Sequence, residues 1–190
     1  MDINKAKDVT KLVKTAVRTM VNDVKAERAM VVLLSATQRR PTPAGQFGFA
    51  SDDIWNDATI NQKVLKQIMQ QPKTVFVLDS QNDTQFRSTS AHRSVLCVPL
   101  GDVGFLYCDH SNPGGLDHSS RRTVEELANG FVRRHSELTE PQATAMIEDE
   151  GPVGLKTLVE EPALRSNMGM LVLMVIIVIA TLVAVIYFSG

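Results

Sequence analysis

The chain has 190 residues, with 20 Lys+Arg against 21 Asp+Glu and two cysteines. That length holds one domain of ordinary size plus an appendage and excludes a multidomain enzyme. The near-balanced charge, net −1, excludes a polybasic nucleic-acid binder, and two cysteines cannot staple a disulfide-rich mini-fold.

The N-terminal segment places Ala6, Val9, Val13, Ala16 and Met20 at alternating spacings of three and four. This stripe predicts an amphipathic helix over 3–25, with Asp2 or Asn4 at its start and Lys5, Lys7, Lys11, Lys14 and Arg18 off the apolar face. Two uses fit the stripe: contact with a second chain, or cover for the domain's own sheet. The run AMVVLLS, Ala29 to Ser35, is continuous, apolar and rich in β-branched residues, and RRPTPAG follows it. A buried strand and a turn are expected there, with a second short strand over 46–50.

Helical spacing returns through Ile60, Val64, Leu65 and Ile68, predicting a helix over 57–71 that Pro72 ends. KTVFVLD, 73–79, reads as a strand and SQNDTQFRSTSAHR as a loop. Ser94–Leu100 and Phe105–His110 flank Gly101-Asp102-Val103-Gly104 and read as a β-hairpin. With Asp102 and Val103 as a two-residue turn, Cys97 faces Cys108 across the pair. That leaves two readings, small buried hydrophobes or a strained redox-sensitive bond. After SNPGGLD, a helix over 119–140 carries Val124, Leu127, Ala128, Phe131, Val132 and Leu138 on one face. The order α, β, β, α, β, β, β, α is an α+β domain over residues 1–140.

From Ser166 to Gly190 there is no charged residue, and Met168 to Phe188 is a 21-residue apolar run. At ~1.5 Å rise per residue it spans a hydrocarbon core of about 30 Å, which predicts a transmembrane helix over 167–188. Ala180 and Ala184 form a small-xxx-small pair that would allow close helix approach. Residues 141–166 are rich in Pro, Gly and acid, as in a tether. The charged N-terminus has no apolar core of a signal peptide, so the domain is expected on the cytoplasmic side of a single-pass, tail-anchored chain, its cysteines reduced.

The stretch VFVLDSQNDTQFRSTSAHRSVLCVPL, residues 75–100, carries a family resemblance. A strand ending in Asp79, a D-x-x-F-like loop with Asp83 and Phe86, and the strand SVLCVPL together resemble a GAF domain. GFLYCD, 104–109, is similar to that family's G-V-L-Y-x-D strand, and DHSSRRTVEELA to its closing helix. The resemblance covers about 9–138 and implies an antiparallel sheet flanked by N- and C-terminal helices. It also implies homodimerisation through the terminal helices, and a ligand pocket between the sheet and loop 79–93, lined by Asp83, Phe86, Ser88, Ser90 and Arg93; the apolar run adds the expectation of assembly with a membrane-associated complex.

The family's chemistry transfers poorly. Of the residues associated with cyclic-nucleotide binding only Phe86 has a partner here, and the cysteine-histidine neighbours of bilin-binding members are missing. Members that reduce free methionine sulfoxide use cysteines where this chain has Ser88, Ser90 and Ser94. Asp109, His110, Asp117 and His118 bracket the NPGG loop without a zinc-like spacing, and Asp117 reads as a helix cap. No catalytic or phosphate-cradling motif occurs. The expectation is a non-enzymatic regulatory or docking module without cofactor or metal. Small-molecule sensing, and a redox or metal switch using Cys97 and Cys108, are the alternatives.

Overall fold

In a computed structural model describing residues 2–35 and 41–140, the N-terminal stripe divides into two pieces. A 3-10 turn, Ile3–Lys5, is capped by Asp2, and α1, Val9–Asn22, starts afresh at Asp8, whose carboxylate accepts from the Lys11 amide at 2.7 Å. The strands are β1 (Arg28–Leu33), β2 (Pro43–Phe47), β3 (Val75–Val77), β4 (Ser94–Pro99) and β5 (Gly104–His110). Between them lies α2 (Gln62–Gln70), and α3 (His118–Thr139) follows β5. The element order is the one expected. β2 lies earlier in the chain than 46–50 because Pro43 can open a strand at the sheet's edge, where no ladder donor is needed. α2 starts later than 57 because Asn61 caps it, its side chain accepting from the amides of Lys63 and Val64.

The five strands form one antiparallel sheet in the order β2-β1-β5-β4-β3. Both faces are covered. Ala29, Val31, Leu96, Val98, Leu106 and Cys108 point into a core closed by α1 and α3. Met30, Val32, Val95, Cys97, Phe105 and Tyr107 point into a second core closed by α2 and its neighbouring loops. A strand covered on both faces has no polar side to alternate with, which is why β1 reads as an unbroken apolar run. Val13, Ala16 and Met20 are buried in the first core, with Val9 packed against it. The stripe thus covers the domain's own sheet, and these side chains are not offered to a second chain, which corrects the first of the two uses expected for them.

The hairpin register corrects the expected cysteine pairing. Cys97 lies opposite Tyr107 and Cys108 opposite Leu96, because the loop has three residues, Gly101 to Val103, instead of two. The Leu100 amide donates to the Gly104 carbonyl at 2.8 Å, and the Val103 amide to the Leu100 carbonyl at 3.1 Å. A shift of one residue moves every side chain to the other face. Cys97 and Cys108 therefore enter different cores, on opposite sides of the sheet, and both are free thiols. Burial raises the pKa of both thiols.

Among the described residues no helix is long and apolar enough to cross a membrane. The expected span over 167–188, with Ala180 and Ala184, and the tether over 141–166 lie outside the described residues.

The two turn glycines should respond differently to substitution. Gly101 has φ +63° with open space around it, so Gly101→Ala should cost about 1–2 kcal/mol, the price of the left-handed conformation alone. Gly104 has φ +154°, and a Cβ there would collide with the Val32 carbonyl oxygen of the neighbouring strand. Gly104→Ala should cost clearly more, above about 2 kcal/mol. Urea denaturation of both variants measures the difference.

Candidate functional site

The loop between β3 and β4 leaves the sheet at Asp79 and returns at Arg93, and these two residues clamp its ends. Arg93 Nε donates to Asp79 Oδ1 at 3.0 Å, and Nη2 to Oδ2. This hydrogen-bonded pair holds the Asp79 carboxylate below the usual range and raises the Arg93 pKa. Asp83 turns the chain, its carboxylate accepting from the amides of Gln85 and Phe86 at 2.8 and 2.6 Å. Phe86 packs against the second core, while its carbonyl accepts from Asn61 Nδ2 at 2.8 Å. The Ser88 hydroxyl accepts from the Ser90 amide at 3.1 Å. Ser90 is buried, donates to the Thr59 carbonyl at 2.6 Å and accepts from the His92 amide.

All five residues expected at a pocket are thus brought to one loop, where their polar groups hold that loop in shape. The core on which Phe86 of this loop packs is filled by the protein's own side chains. Ile54, Ile60, Val64 and Leu65 pack there against Met30, Val32, Val95, Phe105 and Tyr107, none of them more than 2% exposed. Two open surface grooves border the loop among the described residues, one against Gln81, Asp83 and Arg87 and another against Phe76, Phe86 and Lys73.

Beneath the segment that carries Phe49 and Thr59 lies a polar network not expected from the sequence. Arg28 and Asp109 face each other across β1 and β5. Arg28 Nε donates to Asp109 Oδ1 at 2.9 Å, and Nη2 donates to Oδ2. The rest of the guanidinium reaches Thr59, with Nη1 donating to Oγ1 at 2.7 Å and Nη2 to the carbonyl at 2.9 Å. Tyr107 Oη donates to Asp109 Oδ2 at 3.1 Å, and the Phe49 ring covers the guanidinium 4.5 Å from its centroid. The side chains of Arg28 and Asp109 are only 7% and 0% exposed. Burial alone would lower the Arg28 pKa, but the hydrogen bonds and charge of Asp109 raise it. Burial, then the Asp109 charge, pushes the Tyr107 phenol well up, so Tyr107 is a neutral donor. The available signal was one cation and one anion flanking apolar strand runs, since a charge in such a place requires a partner.

A sequence profile of the GAF domain matches residues 8–131. This chain belongs to the GAF domain family. The fold is similar to the GAF domain of a phosphoenolpyruvate-protein phosphotransferase from Acinetobacter, at TM-score 0.56 and 14% identity over 74% of this chain and 90% of that one. It is similar also to a free methionine-R-sulfoxide reductase from Neisseria meningitidis, solved with its substrate, at TM-score 0.57 and 17% identity over 72% and 83%. A GAF domain/HD domain protein from Geobacter sulfurreducens matches at TM-score 0.52 and 17% identity over 73% and 98%. At these identities the likeness is one of fold. A search of curated protein sequences finds no significant match.

Within this GAF domain the other expected positions are structural. Ser94 Oγ donates to the Asn112 carbonyl at 3.0 Å and accepts from the Leu116 amide, pinning the NPGG loop to the sheet. Asp117 caps α3, accepting from the Ser120 amide at 2.7 Å, which lowers its pKa. His110 points instead toward Glu27, whose carboxylate accepts from the Ser111 hydroxyl and amide at 2.6 and 3.0 Å. Among the described residues no three His, Cys, Asp or Glu side chains are grouped to hold a metal.

Removing one partner of the Arg28–Asp109 pair leaves a buried charge unmatched. Arg28→Met or Asp109→Leu should each cost about 3–5 kcal/mol, whereas the double variant should recover much of that loss. A double-mutant cycle in urea checks the coupling.

Asp79 and Asp117 titrate below their ordinary value of 3.8 in the folded domain. A carboxyl whose folded pKa lies below its unfolded one stabilises fully above the unfolded value, and that contribution is lost as pH falls through the folded value. Stability should therefore decline as pH falls below about 4. Asp79→Asn should flatten part of that decline, as read by denaturation midpoints across the acid range.

Proposed function

We propose that this GAF domain works by contact and not by turnover, as a non-enzymatic docking or regulatory module. Residues 167–188 would hold it at the cytoplasmic face of a membrane, as a homodimer or as a subunit of a membrane-associated assembly. The carrying observation is that the core on which Phe86 of loop 79–93 packs is filled by Ile54, Ile60, Val64, Leu65 and Tyr107. The loop's polar residues are committed to holding its own shape. Support for the membrane part comes from the uncharged 21-residue apolar run.

A second reading, sensing of a small molecule, draws on the buried Arg28–Asp109–Tyr107–Thr59 network, which lies beneath loop residues 48–61. Arg28, Tyr107 and Asp109 are buried, and the network reaches the surface at Thr59. In a thermal-shift screen of nucleotides and amino-acid metabolites, a sensor would be stabilised by about 2.7 kcal/mol at ~100 times the dissociation constant. Contact function predicts no such shift.

The direct test is alkaline carbonate washing of membranes carrying the full chain, followed by cross-linking. The chain should stay with the membrane pellet, be released when 167–188 are deleted, and cross-link to itself or to a membrane protein. Release of the intact chain by carbonate would overturn the anchor. A membrane-bound chain that cross-links to nothing, together with a strong ligand shift, would overturn the docking role.

A further inference from the structure

We infer that the outer strip of α1 is a docking surface for the headgroup layer of an anionic bilayer. The helix buries Leu12, Val13, Thr15, Ala16, Val17, Thr19 and Met20, so only a narrow strip faces outward. Lys7, Lys11, Lys14 and Arg18 occupy that strip and the turn before it, at successive spacings of four, three and four. Such spacing lines them along one side of the helix. Lys5 joins them from the 3-10 turn. Lys5, Lys11, Lys14, Arg18, Thr15 and Asp2 border an open groove of about 290 Å³ beside the helix start.

The strip is cationic by a clear margin. Lys11 pairs with Asp8 at 3.4 Å, and Asp2 accepts from the Asn4 amide. Lys5, Lys7, Lys14 and Arg18 have no carboxylate partner among the described residues. Five cations against two carboxylates leave a surplus of three on a chain whose net charge is −1. No aromatic side chain borders the groove, so it offers no platform for stacking nucleic-acid bases. Exposed lysines on a helix side suit attraction to a charged lipid surface, which acts through field and not through a shaped pocket.

The path of the chain supports the same occupant. Near its C-terminal end α3 grips the N-terminal segment, with Arg133 Nη2 donating to Asn4 Oδ1 at 2.9 Å and Arg134 donating to the Ala6 carbonyl at 2.9 and 2.6 Å. After α3 the sequence continues toward the apolar run at 168–188. The choice of lipid as occupant rests on the membrane reading above, whereas the charge on α1 does not.

The domain over 1–140 closes both cores with its own residues, so it can be tested apart from the apolar run. It should cosediment with vesicles of phosphatidylcholine plus phosphatidylserine and not with phosphatidylcholine alone. Binding should fall as salt shortens the Debye length from ~10 Å at 0.1 M to ~3 Å at 1 M. The variant Lys11→Glu/Lys14→Glu/Arg18→Glu should lose binding by about tenfold or more. Lys63→Glu/Lys66→Glu/Lys73→Glu, which reverses three exposed charges in and after α2, should keep it, with circular dichroism confirming that both variants fold. Equal binding to neutral vesicles, no binding to either, or equal loss in the two variants would overturn the inference. Carbonate washing of the full chain reports separately on the anchor, so the two ideas fail independently.

Discussion

A sheet buried on both faces tolerates no slip of register, and the rest of this domain depends on that constraint. In the β4–β5 hairpin, three loop residues place Tyr107 and Cys97 with α2, and Cys108 and Leu96 with α1 and α3. Two loop residues would exchange these sets and drive the Tyr107 ring between the helices. The same parity carries Asp109 to the side where Arg28, Thr59 and Tyr107 meet it. One odd-length turn thus sets the contents of two cores and of the buried ion pair.

That pair shows how a polar group is accommodated in so apolar an interior. Arg28 and Asp109 satisfy each other bidentately, and the remaining guanidinium protons go to Thr59. Thr59 is in turn held by Asp57 and by Ser90, which ties the segment before α2 to the loop before β4. The network spans two strands and two loops, so its role is to fix loops to sheet. Complete pairing limits the desolvation penalty, and burial makes the arrangement intolerant of single changes.

How much of this could be read beforehand depended on whether the signal was local. Strands β1, β4 and β5 were legible because burial on both faces writes an unbroken apolar run. The stripes of α1 and α3 were legible because their spacing repeats over several turns. Boundaries set by a single hydrogen bond were not: the break after Lys5 depends on Asp8 recapping the helix, and the start of α2 on Asn61. The site residues named in loop 79–93 share that loop simply because they are neighbours in sequence. Their roles were not legible, because whether Ser90 or Arg93 faces a ligand or its own backbone is decided by distant partners, Thr59 and Asp79. The Arg28–Asp109 contact joins positions 81 apart, so the charges beside the apolar runs do not reveal which partner each one has.

The two cysteines, placed on opposite sides of the sheet, give the domain a built-in pair of reporters. Each thiol is wholly buried and held in its unreactive protonated form. Alkylation at Cys97 therefore requires the α2 layer to lift, and alkylation at Cys108 requires the α1–α3 layer to lift. The ratio of the two modification rates measures which half of the molecule breathes more readily, with no label added to the chain.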